Sequence, residues 1–422
     1  MRPVLLFSLA AALSAESPAP LTLEEAVATA LRQNPAVAAA RKAVEEADAR
    51  VKQARADYYP QFGFGGIAKA GLSGATNGLG LIGLPNSPFY RNFADSLNVY
   101  QRVYDFGRTR SGVRQQQHRK EIFEADLHAV EAAVILDTKR AFYNLLRARR
   151  LREVADRILQ SREFTARQAQ AFYEGQIRSR VDLELARVSL SQAQVAAIEA
   201  ENDIRAALAQ LGKALGASQE TDYALQQPDM ALPKLPVLAG LIEEAYQDRP
   251  EILALEAERN AAAEAVRLAR SQRRPLLGMV FTGGYARFTN VLARQLLATG
   301  AGLAFPLFTG GRLEGQIEEA EAHEAALDSR LESQRQQVAL EARTAYLRLQ
   351  KALALIRAVQ AQAEYARQAV RLAQARYGER LGTLVELNQA GAGLAEAETR
   401  EVTQIYDIKI AEAELQFAVG RQ

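Results

Sequence analysis

The stretch Val103-Tyr104-Asp105-Phe106-Gly107-Arg108 recurs, with conservative changes, as Leu307-Phe308-Thr309-Gly310-Gly311-Arg312. The glycine of the first copy lies 311 − 107 = 204 residues before that of the second. The same spacing then continues without a gap for more than a hundred residues, through Ala141-Phe142 with Ala345-Tyr346, Tyr173 with Tyr377, Val181-Asp182-Leu183 with Val385-Glu386-Leu387, and Ala214-Leu215-Gly216 with Ala418-Val419-Gly420. This register predicts a tandem internal repeat.

A second pair of landmarks shows where the two repeats differ in length. Pro60 recurs as Pro275, a spacing of 215 residues, so an 11-residue difference (215 − 204) lies between Pro60 and Val103. Loops accept such insertions and packed helices do not. We therefore expect a first repeat over 16–216, a linker over 217–237 and a second repeat over 238–422.

Most of each repeat has a helical pattern. A stretch without proline runs from about 108 to 173, with apolar residues at three- and four-residue steps, and its counterpart runs from about 312 to 377. At 1.5 Å per residue such a helix is about 100 Å long, far longer than most helices in globular proteins. Shorter helices are predicted over Leu23–Gln33, Pro35–Tyr59 and Val181–Leu215.

The segments that precede the long helices, at about 61–103 and 276–308, are rich in glycine and aromatic residues and favour β-hairpins. Each strand is close to the roughly 9 to 11 residues that cross a bilayer. Only closed barrels are tolerated in lipid, and known barrels need about eight or more strands. Four strands cannot close alone, so several copies must combine, and a trimer would supply 3 × 4 = 12 strands. The expected fold is thus mainly α with a small β part.

Composition excludes several functional classes. The 52 Lys and Arg residues balance 50 Asp and Glu residues, so no overall field attracts nucleic acid. Cysteine is absent, and the three histidines, which we interpret as surface helix residues, form no metal motif. The stretch Gly78–Gly83 fits a dinucleotide-binding pattern literally, but no helix follows it, and an extracellular loop is expected. We expect no enzyme activity and no cofactor.

The first residues indicate export from the cytoplasm. Arg2 precedes an apolar run from Val4 to Leu13 and a group of small residues, which predicts a signal peptide over residues 1–15. No later stretch reaches the roughly 18 apolar residues of a transmembrane helix. Any span of the membrane would therefore consist of β-strands.

The chain resembles the TolC-type outer-membrane efflux proteins along nearly its whole mature length. The resemblance rests on the signal peptide, the tandem halves, the prolines before the hairpins, and the two glycine-containing stretches that follow the hairpins. This resemblance implies a homotrimer in the outer membrane of a Gram-negative bacterium, with a 12-stranded barrel that continues into a long periplasmic α-barrel. It also implies a periplasmic adaptor and an inner-membrane pump as partners, and passive conduction of substrates for efflux or type I secretion.

The resemblance also implies site residues at the two helix-turn-helix tips, where the family has its periplasmic entrance. Tyr377 matches a gate tyrosine, and Glu386 matches an acidic ring. The remaining candidates at the entrance are Arg380, Asp182 and Gln389, and Gly175, Gly378 and Gly382 are expected to form the tip turns.

The chain departs from the family pattern at three of these positions. Gln389 stands where a second acid is expected, Gly382 where an arginine of the salt-bridge network is sought, and Ser191 near an expected acidic partner. A double acidic ring and a complete closing salt-bridge network are thus not expected. The ordinary alternative for the charged residues is a solvated helix surface. For the whole chain, the alternative is a soluble periplasmic coiled-coil scaffold or adaptor protein.

Overall fold

The structure is a computed structural model that describes residues 20–72, 89–217, 222–288 and 291–421. The predicted signal peptide over 1–15 and the glycine-rich stretch 78–83 lie outside the described residues. Within these ranges the chain is mainly helical with one small sheet, as the sequence predicted.

The described residues form eight helices and four strands. In chain order they are α1 (Leu23–Gln33), α2 (Pro35–Ala56), β1 (Gln61–Leu72), β2 (Phe89–Tyr104), α3 (Arg108–Glu174), α4 (Arg180–Leu215), α5 (Leu238–Asp248), α6 (Pro250–Ser271), β3 (Leu276–Phe288), β4 (Val291–Ala304), α7 (Arg312–Gly378) and α8 (Leu384–Val419). Helices α3 and α7 each have 67 residues, and α4 and α8 each have 36.

The ends of the helices follow from local chemistry. Thr22 and Glu25 form a capping box at the start of α1, and the Oδ1 atom of Asn34 accepts the Ala36 N–H at 2.9 Å at the start of α2. Helix α2 ends at Ala56 rather than at the predicted Tyr59. The backbone there tightens into i−3 hydrogen bonds before Pro60, and the residue before a proline avoids the helical region.

Glycine ends the two 36-residue helices. Gly216 follows α4 and Gly420 follows α8, both with left-handed backbones at φ 76° and 86°. At Gly216 a Cβ atom would lie 2.7 Å from the carbonyl oxygen of Gln33. Glycine is therefore needed at position 216 both for the left-handed backbone and for the close contact with Gln33.

The four strands form one antiparallel sheet in the order β1-β2-β3-β4. Phe62 faces Val99 across the first pair, and Val280 faces Gly300 across the last. The middle pair, β2 with β3, joins the strands of the two sequence halves. At Gly284 the neighbouring strand is so close that a Cβ atom would clash with the carbonyl oxygen of Asp95.

The chain divides into two compact units. One consists of residues up to Ala38, Glu131–Ile242 and Glu341–Gln422, and its largest fully buried side chains include Tyr377, Phe142, Leu145, Leu211 and Ile408. The other consists of Ala39–Val130 and Glu243–Leu340, contains the sheet, and has Ile252, Leu327 and Val338 in its core. Across the described ranges, no helix is apolar over a length sufficient to cross a membrane.

Candidate functional site

The turn from α3 to α4 and the turn from α7 to α8 share one backbone design. In the first, the Ile177 N–H bonds the carbonyl of Phe172 at 2.8 Å. In the second, the Leu381 N–H bonds the carbonyl of Arg376 at 2.7 Å. These are the six-to-one bonds of a Schellman motif, which satisfies the last carbonyls of a helix. Ser179 then caps α4, and Thr383 caps α8.

Gly175 and Gly382 lie in the two turns, as the sequence predicted, whereas Gly378 is the last residue of α7; none of the three has the left-handed backbone that was expected of them. The left-handed positions are Gln176 (φ 56°) and Arg380 (φ 64°), whereas Gly175, Gly378 and Gly382 have no positive φ. The expected reason for these glycines is thus wrong. At Gly382 the reason is space, since a Cβ atom would lie 3.1 Å from the Cβ of Arg376, tighter than most real contacts.

Tyr377 is the centre of the apolar core beneath the turns. Its side chain is fully buried, and its ring meets that of Phe172 edge-on at 5.7 Å. Ala169, Ala186, Ala373, Leu384 and Leu387 complete this core. The Oη atom of Tyr377 is buried and has no hydrogen-bond partner among the described residues. Burial, reinforced by nearby Asp182 and opposed by Arg178, raises the pKa of the Tyr377 hydroxyl.

Arg178 connects the two turns. Its guanidinium lies over the Tyr377 ring at 5.6 Å and donates to the carbonyl oxygens of Gly382 at 2.7 Å and Arg380 at 3.4 Å. By the 204-residue register, Arg178 is the counterpart of Gly382. An arginine of the other turn thus contacts the backbone at position 382, where the chain has glycine. The register shows that positions 178 and 382 are equivalent, but it does not show that they are in contact.

The other predicted residues lie at the start of α4 and α8. The Glu386 carboxylate is 3.4 Å from Nε of Arg376, and both side chains are about half exposed, at 47% and 56%. Gln389 is exposed one turn further along α8. Asp182 is half-buried, and its backbone N–H donates to Ser179 at 3.3 Å. The structure thus places Arg178 against the Tyr377 ring and the carbonyl oxygen of Arg380, with Asp182 near Tyr377, and it pairs Glu386 with Arg376.

A charged cluster deeper along the helices was missed by the sequence reasoning. Glu398 on α8 is buried and meets Nε of Arg367 at 3.0 Å and Nη2 of Arg157 at 3.5 Å, while Arg367 also reaches Glu401 at 2.6 Å. These ion pairs join α3, α7 and α8. Nothing in the helical pattern distinguishes these side chains from the other charges, so no sequence signal could have found them.

A second missed contact lies between this cluster and the turns. Arg162 donates to Oδ1 of Asn388 at 3.0 Å, and its guanidinium lies so close to Gly391 that a Cβ there would clash. Burial lowers the pKa of Arg162. An arginine thus crosses from α3 to the backbone of α8 and occupies the space that a Cβ atom at position 391 would need.

Both turns present apolar side chains to solvent. Ile177 and Val181 are 41% and 66% exposed, and their counterparts Leu381 and Val385 are 74% and 59% exposed. Apolar residues at matching positions of two adjacent turns form a patch of the kind that marks contact sites. Within the described ranges, no group of His, Cys, Asp and Glu side chains is placed to hold a metal ion.

Comparison with known proteins agrees with this geometry. The sequence profile of the family described as "Outer membrane efflux protein" matches residues 26–217 and 241–421. A comparison with curated protein sequences gives no match.

Solved structures of outer-membrane channels have the same fold. The chain is similar to CusC, described in the context of transmembrane channel formation, with 20% identity and a TM-score of 0.83 over 95% of this chain and 92% of CusC. It is similar to the outer membrane protein VceC from Vibrio cholerae, with 21% identity and a TM-score of 0.81 over 94% and 96% of the two chains. For the MtrE outer membrane channel of Neisseria gonorrhoeae, solved in its open state, the identity is 19% and the TM-score 0.80 over 94% and 89%.

Proposed function

The chain belongs to the outer membrane efflux protein family, and from this premise we propose that it is the outer-membrane duct of a tripartite efflux or type I secretion system. The duct is a homotrimer that conducts substrates passively from an inner-membrane pump and a periplasmic adaptor to the cell exterior. The family and the similar structures are channel proteins. The alternative of a soluble periplasmic scaffold or adaptor is not favoured by these matches.

The proposal of a trimer rests on one observation, the two unpaired edges of the sheet. Among the described strands, β1 pairs only with β2 and β4 pairs only with β3, so each has one free side. The strands have 12 to 16 residues, enough to cross a bilayer. In lipid each unpaired backbone group costs several kcal/mol, so both edges must be joined to other strands. Three copies give 3 × 4 = 12 strands, which form one closed barrel.

The exposed side chains of the edge strands fit this assembly. Phe62 and Phe64 on β1 are 71% and 76% exposed, and Leu297 and Leu303 on β4 are 78% and 69% exposed. Alternate positions of a strand point to one face, so each pair lies on a single face of its strand. Apolar residues of this size on a sheet face suit contact with lipid or with a neighbouring copy.

The two turns form the periplasmic end of the duct in this proposal. Ile177, Val181, Leu381 and Val385 provide the apolar contacts for the adaptor. Three symmetry-related Glu386 carboxylates narrow the entrance and attract cations. Tyr377 and Arg178 hold the two turns of each chain together at this entrance.

The absence of cysteine makes a clean crosslinking test possible. The variant Phe62→Cys/Leu303→Cys places one thiol on each free edge, near the same end of the sheet. After mild oxidation in detergent we expect a covalent ladder of one, two and three chains that ends at three. The matched control is Phe62→Cys/Val99→Cys, whose two positions face each other within one chain, so it should form an internal disulfide and no ladder.

Three results would be incompatible with the duct. A ladder continuing beyond three rungs would refute the trimer. A protein that stays monomeric in plain buffer without detergent would refute the membrane assembly. If the mature protein fractionated with the soluble periplasm, the scaffold alternative would replace the duct.

A further inference from the structure

A cavity of about 410 Å³ lies where β4 ends and α7 begins. Arg108 and Arg312, the first residues of α3 and α7, both line it, and none of its described lining residues is acidic. Nη2 of Arg108 donates to the carbonyl oxygen of Ser271 at 3.3 Å, and its Nε is buried without a hydrogen-bond partner among the described residues. Two cations that occupy equivalent positions in the sequence register thus meet at one concave site.

The beginning of α3 shows what the beginning of α7 lacks. The Asp105 carboxylate accepts hydrogen bonds from the N–H groups of Gly107 at 3.1 Å and Thr109 at 2.8 Å, and from the Thr109 hydroxyl. Burial alone would raise the pKa of Asp105, but these hydrogen bonds and Arg102 hold it below its ordinary value. Helix α3 therefore carries its own anion.

At the corresponding position before α7 the chain has Thr309 instead of an aspartate. The backbone carbonyls of Asp105 and Thr309 accept the same bond, from the N–H groups of Arg108 and Arg312 at 3.2 Å, but the threonine side chain carries no charge. The second copy of the exit motif has kept the arginine and lost the anion. An external anion is the complement of this site, and arginine is the side chain best shaped to bind a phosphate group.

The surroundings of the cavity are apolar and exposed. Phe305, which also lines it, is 51% exposed, and the following Leu307 and Phe308 are 88% and 90% exposed. A free inorganic anion makes no use of such surface, whereas the acyl chains of a lipid do. Basic pockets beside a bilayer are typical of binding sites for anionic lipid headgroups.

We propose that the cavity at Arg108 and Arg312 binds the phosphate group of an anionic phospholipid from the periplasmic leaflet of the outer membrane. This inference rests on the proposed function, because the helix end of the sheet faces that leaflet only in the duct. The lipid anchors the start of α7, whose first-turn carboxylate, Glu314, is already paired with Arg273 at 3.0 Å.

The test measures lipid binding to the detergent-solubilised full-length mature protein by native mass spectrometry. The probes are phosphatidylglycerol, diacylglycerol, which lacks the phosphate, and inorganic phosphate. Each arginine near a bilayer contributes about a fivefold gain in affinity, so Arg108→Gln/Arg312→Gln should weaken phosphatidylglycerol binding about 25-fold. The control Arg273→Gln/Glu314→Gln removes the neighbouring ion pair of 3.0 Å as a unit, so it leaves the net charge at this end of the helices unchanged and should leave binding unchanged. Diacylglycerol should show no dependence on the arginines.

Each other outcome decides against the inference. Equal phosphatidylglycerol affinity in the wild type and the double variant would overturn it, as would inorganic phosphate binding as tightly as the lipid. If the double variant loses the trimer while the number of lipids per chain is unchanged, a second copy covers the cavity and the lipid site is wrong. Single-channel conductance of the wild type tests the proposed duct independently of the proposed lipid site. A conducting trimer without arginine-dependent lipid binding refutes only the lipid site, whereas a wild type that neither trimerises nor conducts refutes the duct.

Discussion

Removal of the Tyr377 hydroxyl, which has no hydrogen-bond partner among the described residues, is predicted to stabilise the protein. Tyr377→Phe removes a buried polar group that lacks a partner and keeps the ring contact with Phe172 and the cation above it. A buried unsatisfied group costs about 1 to 3 kcal/mol, so the substitution should stabilise the turns by about 1 kcal/mol. A larger truncation, Tyr377→Ala, removes a fully buried aromatic side chain and should cost about 3 to 5 kcal/mol.

Hydrogen exchange at the two turns measures this difference locally. Amide protection reports the free energy of local opening, so 1 kcal/mol corresponds to about fivefold stronger protection in Tyr377→Phe, and 3 kcal/mol to more than a hundredfold weaker protection in Tyr377→Ala. The peptides to follow are those that span 166–190 and 370–392, with peptides of the sheet as an internal reference. If Tyr377→Phe weakens protection at the turns, the hydroxyl has a partner in the assembled protein, and the reasoning from the isolated chain is refuted.

Three further predictions concern charge, backbone and pH. Glu386→Gln should reduce the cation preference of single channels and Arg376→Gln should increase it, since the pair at 3.4 Å partly neutralises the carboxylate; an unchanged preference in Glu386→Gln removes the acidic ring. Arg380→Gly should stabilise its turn by about 1 kcal/mol, because only glycine adopts a left-handed backbone without strain. The control Glu379→Gly should not stabilise the turn, because Glu379 has no positive φ. If the two variants changed hydrogen exchange at the turn equally, the argument from backbone strain would be contradicted. The lowered pKa of Asp105 means that its contribution to stability is present above its ordinary value of 3.8 and lost as pH falls through the folded value. At pH 7, Asp105→Asn should therefore be less stable than the wild type in thermal unfolding by about 1 kcal/mol, and this difference should shrink as the pH falls below 3.8; a difference independent of pH would show that the charge is unimportant.

Much of the fold was predictable because it depends on local chemistry and on pattern length. The absence of proline after Arg108, together with helical periodicity, predicts a helix about as long as the observed Arg108–Glu174. The glycine-rich and aromatic segments after Pro60 and Pro275 predict the four strands. These signals lie within short windows of sequence, so no knowledge of distant contacts is needed.

The candidate site was only partly predictable because its contacts join distant parts of the chain. Resemblance alone selected Tyr377 and Glu386, and nothing in the sequence indicated that Arg178 lies over the tyrosine ring. Glycine propensity predicted which residues would reverse the chain, but tertiary packing assigned the left-handed backbones to Gln176 and Arg380. Propensity is a weak guide wherever neighbouring elements over-determine a turn.

The contacts of Arg178 with the opposite turn have a consequence for how the two turns of one chain can move. Its bonds to the carbonyl oxygens of residues 380 and 382 fasten the two loops of one chain to each other, and the shared core around Tyr377 reinforces them. Pulling these loops apart would break charge-assisted bonds and open a packed interior at once. In the proposed trimer, separation along the interfaces between protomers would leave these contacts intact, so we expect each pair of loops to move as one rigid unit.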